Sequence, residues 1–311
     1  MGVFIRKFLI FTGLAVLIYI VLFCILFFTR SDNIPIIYRA THGNLLRGGF
    51  TWVTFRQFDP NAKYDVILLG SSHAYRGYDP AIFHEYGYNM FNLGTNSQSN
   101  LVSYFIAKNY ISRKNCKTVI IDVYDRVFPT VAMESISDIV QNINSTKAAV
   151  EICIAIKDFR TMNMLTLRVF NNIGGVFNAD TANVINGFVP YNTQLQPTDR
   201  LREPVLENHH QAVEYFSKLV AYLHQEGIKI IVAEHPVPLV YAVPRDQHDK
   251  MISEIKPILE QYNVPFYDHL YDSTMMDIRY FANANHLSVS GIKRYNEILL
   301  NELIRDGHLQ R

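Results

Sequence analysis

The chain has 311 residues, of which 49% are hydrophobic, and its formal net charge is +1. A chain of this size can bury a substantial core in one large domain or two small ones. No basic cluster is dense enough to follow a phosphate backbone, so the composition argues against a nucleic-acid partner.

The first thirty residues differ in kind from the rest. Phe8 to Phe28 is an uncharged apolar run that follows Arg6 and Lys7, and at about 1.5 Å per residue it can cross a hydrocarbon layer roughly 30 Å thick. A cleavable signal peptide is the alternative, but the run exceeds the roughly 7–15 apolar residues of such peptides, and no small-x-small cleavage site follows. Residues 1–30 are therefore predicted to be a cytoplasmic tip and a single transmembrane signal anchor, with the carboxyl-terminal domain periplasmic or extracellular.

The cysteines do not predict a disulfide or a metal site. Cys24 lies within the apolar run, and only Cys116 and Cys153 could pair in an outward domain. Sequence spacing cannot show that their Cα atoms come close, and two free buried thiols are favoured. No metal-ligand spacing is present, and neither a metal nor another cofactor is expected.

A short apolar segment organises the chain after the membrane anchor. Asp65 begins a short strand whose apolar residues 66–69 lead directly into Gly70-Ser71-Ser72. Such a run, ended by glycine and small hydroxyl residues, is typical of a buried parallel strand whose carboxyl end presents a serine to a crevice.

The segments that follow alternate between helix and strand. Asp79-Pro80 opens a short helix to about Tyr86, and Ser97 or Ser99 can cap a helix that ends near Ser112. The remaining predicted elements are strands at 89–93, 118–124, 228–233 and 265–267, and helices at 207–225, 244–262 and from Ser288 or Ser290 to about Asp306. This alternation predicts a mostly parallel sheet with right-handed crossovers.

Two stretches do not fit the alternation. Residues 31–63 show no sustained period and are predicted to be a tether that packs on the domain. Residues 130–200 read as an insertion or lid, with helical segments at 133–142 and 146–170 and an irregular part at 171–200. The predicted domain is therefore 64–311, with the insertion inside it.

His286 stands out among eleven histidines. It lies in a polar loop between the last strand and the last helix, which a doubly wound sheet places at the same edge as Ser72. A helix-capping loop with an incidental histidine is the alternative. The other histidines, including His73 and His248, have structural explanations.

Three short motifs carry a resemblance to a known family. Gly-x-Ser after the first strand, Asn92-Leu93-Gly94 after the second, and a late Asn-x-x-His before the terminal helix resemble the SGNH (GDSL-type) hydrolase superfamily over about residues 64–308, with 130–200 unmatched. The resemblance implies a flavodoxin-like three-layer α/β/α fold. It implies that Ser72 is the nucleophile, that His286 is the base, and that the backbone N–H groups of Ser72 and Gly94 are oxyanion donors.

The chain departs from this family at two positions. The acid three residues before the histidine is replaced by Asn283, and the family's Gly-x-Asn-Asp block, which supplies a third oxyanion donor, reads 122-Asp-Val-Tyr-Asp-125 here. Asn96 or the Tyr124 hydroxyl could substitute for that donor. The chain could use a Ser-His dyad with Asn283, or recruit an acid from upstream, at Asp272 or Asp277, or it has lost catalysis.

Gly-Ser-Ser behind a single amino-terminal membrane helix is most similar to one branch of the superfamily, the anchored bacterial proteins of the DltD type (teichoic-acid D-alanylation) and of the AlgJ and AlgX types (polysaccharide O-acetylation). This implies a serine esterase or O-acyltransferase that acts on acyl groups of a cell-envelope glycan or polyol polymer, with a membrane acyltransferase as a possible partner. Arg76 and Arg126, each just beyond a strand end, are candidates for binding an anionic substrate.

Two alternatives from other classes remain. The first is a catalytically impaired SGNH-like envelope protein that binds glycan or a membrane partner, and the loss of the family's acid and asparagine supports it. The second is a metal-dependent hydrolase, which the sequence disfavours because no ligand cluster can be read from it.

Overall fold

The computed structural model describes residues 1–39, 46–129, 133–179, 183–191 and 209–310. Residues 180–182 and 192–208, which include part of the irregular stretch predicted at 171–200, therefore lie outside the described chain.

The described helices, in chain order, are α1 (Gly2–Phe28), α2 (Ile36–Arg39), α3 (Gly49–Gln57), α4 (Ser72–Gly77), α5 (Pro80–Glu85), α6 (Asn100–Tyr110), α7 (Met133–Asn142), α8 (Thr146–Ile156), α9 (Arg160–Gly174), α10 (His209–Gln225), α11 (Arg245–Gln261) and α12 (Val289–Arg305). The strands are β1 (Arg30–Ser31), β2 (Ile34–Pro35), β3 (Arg47–Gly48), β4 (Tyr64–Leu69), β5 (Met90–Asn92), β6 (Cys116–Asp122), β7 (Phe177–Asn178), β8 (Lys229–Glu234) and β9 (Phe266–Asp268).

The core is a parallel sheet of strand order β5-β4-β6-β8-β9. Counted along the chain, this is the 2-1-3-4-5 order of doubly wound flavodoxin-like folds. The predicted α/β fold with a mostly parallel sheet is thus confirmed.

Each central strand is buried on both faces because helices cover the sheet on either side. In β4, Val66 and Leu68 belong to the apolar cluster on one face, while Ile67 and Leu69 belong to the cluster on the other. This arrangement explains why β4 reads as a continuous apolar run rather than an alternating one.

The glycine after β4 positions the predicted nucleophile. Gly70 has φ of +151°, and a Cβ atom there would lie 2.9 Å from the Cβ of Asp122, at the end of the neighbouring strand β6. Only glycine fits this close approach without a shift. The chain therefore turns sharply at the carboxyl edge of the sheet, where the order of strands reverses and where such folds place their sites.

The region predicted to be a tether contains regular structure. Residues 49–57 form α3, and β3 pairs in parallel with β7 of the insertion. The helix begins after Gly48 with no side-chain cap, so the sequence offered no start signal for it.

The predicted helix 146–170 is in fact two helices. Lys157 ends α8 in the left-handed conformation, with φ of 58°, and α9 starts three residues later. A lysine is an uncommon residue in this conformation, where glycine and asparagine are preferred. No residue in the sequence therefore indicated that the helix ends at 157.

The amino-terminal helix α1 is long and apolar enough to cross a membrane, by length and composition. Its carboxyl third also contacts the domain. The Tyr19 hydroxyl donates to Asn163 Oδ1 of α9 at 2.9 Å, and the rings of Phe23 and Phe27 lie 4.9 and 5.2 Å from that of Phe170. The helix and the domain are thus joined by packing as well as by the chain.

The prediction of free thiols is confirmed. Cys116 and Cys153 are buried and unpaired. Burial raises the pKa of Cys116 to about 12 and that of Cys153 to about 11, so both remain protonated and act as small apolar side chains.

One glycine of the insertion fixes that segment against the sheet. Gly187 has φ of +80°, and a Cβ atom there would lie 1.8 Å from the backbone oxygen of Asn92, the last residue of β5. The Asn92 N–H also donates to the Asn186 carbonyl at 2.9 Å. Residues 183–191 are therefore held directly on β5.

We predict that Gly187→Ala displaces this segment, whereas Gly87→Ala does not. Gly87 has φ of +90° with no atom near its would-be Cβ, so its replacement should cost only the left-handed strain of about 1–2 kcal/mol. Gly187→Ala adds a clash with backbone and should cost more. Urea unfolding of both variants tests this, and equal midpoints would contradict it.

Candidate active site

Ser72 lies at the first position of α4, directly after the turn that Gly70 allows. The Ser71 side chain is the helix N-cap, because its Oγ accepts from the His73 N–H at 3.3 Å. The two serines thus have different environments. Ser71 is buried in the cap, whereas Ser72 is half-buried and presents its Oγ at the sheet edge.

His286 meets Ser72 across 214 positions of sequence. Its Nε2 lies 2.8 Å from Ser72 Oγ. The loop that carries it is closed by a hydrogen bond from the Ala282 N–H to the His286 carbonyl at 2.8 Å, and Ser288 caps α12 immediately after it. The two side chains have the separation that a nucleophile and its general base require.

Asn283 fixes the orientation of the His286 ring. Its Oδ1 lies 3.0 Å from His286 Nδ1 and also accepts backbone N–H groups from Asn285, at 3.1 Å, and from His286, at 3.0 Å. Because two backbone donors point at this atom, it must be the amide oxygen and not the nitrogen. Nδ1 therefore carries the proton, and the lone pair of Nε2 faces the Ser72 hydroxyl.

The fixed orientation of the Asn283 amide removes one disadvantage expected of an asparagine at this position. In serine proteases an asparagine in place of the acid favours the wrong imidazole tautomer. Here the loop backbone prevents the amide from presenting its NH₂ group to the ring. The departure at Asn283 thus leaves the hydrogen-bond geometry of the base intact.

The electrostatic defect remains. Burial, and then the positive charge of Arg76 and the proximity of His235, lower the pKa of His286 to about 3. The upstream acids do not compensate. Asp277 pairs with Arg279, and Asp272 caps a short 3₁₀ turn through the Thr274 N–H. A neutral imidazole is therefore held ready, but its protonated form has no carboxylate partner.

A stack of rings lies behind the base. His73 is fully buried between the rings of Tyr124 and His235, with centroids 3.7 and 3.9 Å away, and its ring meets that of His286 at 5.6 Å. Burial lowers the pKa of His73 well below its ordinary value and that of His235 to about 4. These neutral rings form an apolar wall for His286.

Sequence reasoning had set His73 aside and had missed His235. The latter directly follows β8, and the rule that parallel strands converge at their carboxyl edge could have found it.

Two of the predicted oxyanion donors, Gly94 and Asn96, are occupied in this conformation. The Gly94 N–H donates to Asn92 Oδ1 at 3.0 Å, and Asn96 Nδ2 donates to Glu134 at 3.0 Å. The buried hydroxyl of Tyr124 has Asn285 as a polar neighbour, and burial raises its pKa. The backbone N–H of Ser72, at the start of α4, has no acceptor among the hydrogen bonds of the described chain.

Arg76 lies close to the base and contacts a residue that sequence reasoning missed. Its guanidinium lies 3.7 Å from the centre of the Tyr191 ring, and that ring is 5.0 Å from His286. Its Nε also donates to the Tyr75 hydroxyl at 3.2 Å. Tyr191 comes from the insertion, where no pattern marked it. Arg126, in contrast, donates to the Tyr241 carbonyl at 3.3 Å.

A cavity of about 240 Å³ lies beside Asn96. Its lining is rich in polar groups and comes from the start of α3, from α7 and from the end of β7: Gly48, Gly49, Phe50, Thr51, Glu134, Asp138 and Asn178, with Leu46. Such a lining suits a hydroxyl-bearing group better than an alkyl chain.

A second group of titratable side chains lies at the same edge of the sheet. Asp125, Glu234 and His248 are buried, and one ligand atom of each lies within 4.8 Å of those of the others. They come from the ends of β6 and β8 and from α11, so no sequence spacing revealed them.

Solved structures with a similar fold are GDSL-like lipases and acylhydrolases. They include an acylhydrolase candidate from Bacteroides fragilis, with a TM-score of 0.38, 14% identity, and coverage of 81% of this chain and 94% of the other. A GDSL-like lipase from Bacteroides thetaiotaomicron has a TM-score of 0.37, 12% identity, and coverage of 77% of this chain and 88% of the other. A gut microbial diltiazem-metabolizing enzyme is also similar, with a TM-score of 0.42, 9% identity, and coverage of 78% of this chain and 47% of the other. No family model and no curated protein matches the chain. These TM-scores and identities assign neither a family nor an activity to this chain.

We predict that Asn283→Asp raises the activity of the site. A carboxylate would accept the same three N–H groups and would stabilise imidazolium, so the pKa of His286 should rise from about 3. Because the base acts in its neutral form, wild-type activity should stay flat down to about pH 4, and the variant's acid limb should lie at higher pH. Its rate at neutral pH should increase about tenfold or more.

The pH profile of ester hydrolysis or of probe labelling measures both effects. Asn283→Leu is the matched control, because it removes the acceptor, frees the tautomer and should lower the rate. An unchanged acid limb in Asn283→Asp would contradict the role of this position.

Proposed function

We propose that the chain is a membrane-anchored SGNH-like serine esterase or O-acyltransferase. Ser72 is the nucleophile, His286 the general base, and Asn283 the group that positions the base. The observation that carries the proposal is the 2.8 Å contact between Ser72 Oγ and His286 Nε2, in a tautomer that Asn283 Oδ1 fixes.

Each half of the proposed reaction has two proton transfers, both through His286 Nε2. Ser72 Oγ attacks the acyl carbon while its proton passes to His286 Nε2. The tetrahedral intermediate collapses, the bond to the leaving alkoxide breaks, and His286 returns the proton to that alkoxide. Water or a sugar hydroxyl then attacks the acyl-serine by the same route in reverse. Hydrolysis and transfer differ only in which hydroxyl accepts the acyl group.

Stabilisation of the oxyanion is the weaker part of the site. The Ser72 N–H is one donor, and the Gly94 N–H becomes a second when it exchanges its bond with Asn92 Oδ1 for one with the oxyanion. Absence of a single donor costs roughly 2.7–4 kcal/mol of transition-state stabilisation. We infer that substrate binding and rearrangement of Asn92 are coupled.

The surroundings of Ser72 support a polar, negatively charged substrate. Tyr75 and Tyr191 hold Arg76 beside the base. Among the described residues, Arg76 forms no salt bridge with a carboxylate. The polar cavity beside Asn96, which Glu134 and Asp138 also line, suits uncharged hydroxyl groups. These features fit an acylated glycan or polyol polymer of the bacterial cell envelope, with a membrane acyltransferase as a further partner.

The proposed location follows from α1. Its side chains are almost all exposed rather than packed in the core, which favours a membrane span over a core helix. Arg6 and Lys7 favour an amino end in the cytoplasm. The catalytic domain then lies in the periplasm or outside the cell.

A catalytically impaired protein that binds glycan or a membrane partner is the second candidate. It is favoured by the low pKa of His286, about 3, and by the engagement of Gly94 and Asn96 with other side chains. This candidate predicts the same crevice and the same ligand class without turnover.

We predict that a fluorophosphonate probe labels the wild-type chain and that Ser72→Ala abolishes the labelling. His286→Gln should lower it strongly, because the hydroxyl loses its base. Ser71→Ala is the matched control. It removes only the N-cap of α4, so it should cost about 1 kcal/mol of stability and leave the probe adduct at Ser72.

Mass spectrometry of the labelled peptide identifies the modified serine. If wild type is labelled no more than folded Ser72→Ala, the esterase proposal is excluded and the catalytically impaired binding protein is the remaining candidate.

We also predict that Arg76→Gln weakens the use of anionic esters selectively. The guanidinium should add charge-assisted binding to a carboxylate or phosphate, so KM should rise for anionic esters and change little for neutral ones. Comparison of the two ester types on wild type and variant measures this. An equal change for both types would show that Arg76 only supports Tyr191.

A further inference from the structure

The second cluster at the sheet edge is chemically distinct from the Ser72 site. His248 Nδ1 lies 3.0 Å from Asp125 Oδ2 and 3.7 Å from Glu234 Oε2, while His248 Nε2 lies 2.9 Å from Asp268 Oδ2. Asp125, Glu234 and His248 are each at least 92% buried, with exposures of 8%, 0% and 2%. Three carboxylates thus surround a single imidazole.

The charges of this cluster do not balance among its own members. One imidazolium can offset only one of the three carboxylates. Asp268 is partly exposed, with 38% of its side chain accessible, so water can solvate it. Glu234 is fully buried, and a buried carboxylate without a counter-charge costs several kcal/mol.

Glu234 also has an unused ligand atom that points into the cluster. Its Oε1 accepts the Asp125 N–H at 3.4 Å, but Oε2 has no hydrogen-bond partner among the described residues. Buried polar atoms are rarely left in this state.

We propose that Asp125, Glu234 and His248 bind a divalent metal ion of the Zn²⁺ type. Ligand atoms on one such ion lie about 2.0–2.2 Å from it, and two of them are therefore separated by roughly 3–4 Å. The spacings of 3.0 and 3.7 Å from His248 Nδ1 fall in this range. The ion would use Glu234 Oε2 and would offset two negative charges.

Asp268 supports His248 from outside the three proposed metal ligands. A metal-bound histidine usually donates its other ring N–H to a carboxylate, which fixes the ring and the tautomer. His248 Nε2 has that partner in Asp268 Oδ2. One imidazole nitrogen and carboxylate oxygens form a donor set suited to Zn²⁺ or Mn²⁺ and not to a soft ion.

The ion would brace the wall behind the catalytic base. Asp125 follows Tyr124 and Glu234 precedes His235, and both of these rings stack on His73. A metal shared by the ends of β6 and β8 and by α11 would hold those strand ends together. The role is structural, and it does not depend on the chemistry proposed for Ser72.

Metal content of the full-length chain, purified in detergent without a polyhistidine tag or chelator, tests the proposal. Elemental analysis should find zinc in stoichiometric amount in wild type and little in Glu234→Gln, a nearly isosteric change. Asp268→Asn should bind zinc about 10–100-fold more weakly. Asp272→Asn is the matched control, because Asp272 only caps a surface turn, and it should bind zinc as wild type does.

Thermal unfolding separates the metal site from a metal-free ion network. Chelator should lower the midpoint of wild type, and zinc should restore it. In a metal-free network chelator has no effect, and Glu234→Gln is neutral or stabilising because it removes an uncompensated carboxylate. That result, or zinc retained equally by Glu234→Gln and His248→Gln, overturns the proposal. The chelation series needs no variant, so it decides even if a variant fails to fold.

Discussion

The hydrogen bonds to one amide oxygen determine what the Ser72 site can do. Asn283 Oδ1 accepts three N–H groups, two from the loop backbone and one from His286. The backbone pair sets the orientation of the amide, the amide sets the imidazole tautomer, and the tautomer directs a lone pair at Ser72. An asparagine can therefore replace the usual acid without loss of geometry. What it cannot replace is the negative charge.

The free-energy cost of protonating His286 has a magnitude. A fall in the pKa of His286 to about 3, from an ordinary value of 6.5, corresponds to something on the order of 5 kcal/mol against imidazolium. Burial is the largest cause, so an oxyanion formed beside the ring would recover part of this energy through the same low dielectric. The limit on the proposed catalysis is thus electrostatic, and it depends on how much charge the substrate brings to the crevice.

The features that could be read from the sequence are those set by local pattern. The apolar run of β4 and the Gly-Ser-Ser turn indicated a serine at the sheet edge, the family resemblance selected Ser72 over Ser71, and position after the last strand singled out His286. Residues that act through distant contacts could not be read. Tyr191 reaches His286 from the insertion, and α3 begins without a capping side chain. Asn283 could be named from its place three residues before His286, but the two loop N–H groups that orient its amide could not.

The parallel sheet explains why two clusters of such different character are neighbours. All five strands bring their carboxyl ends to one edge, so polar residues that follow β4, β6, β8 and β9 converge there regardless of their distance in sequence. Between the serine site and the acidic cluster lies the stack of Tyr124, His73 and His235, whose histidines burial keeps neutral. A neutral apolar partition separates the charges of the cluster from the base. The same partition makes the position of His286 sensitive to anything that holds or loosens the ends of β6 and β8.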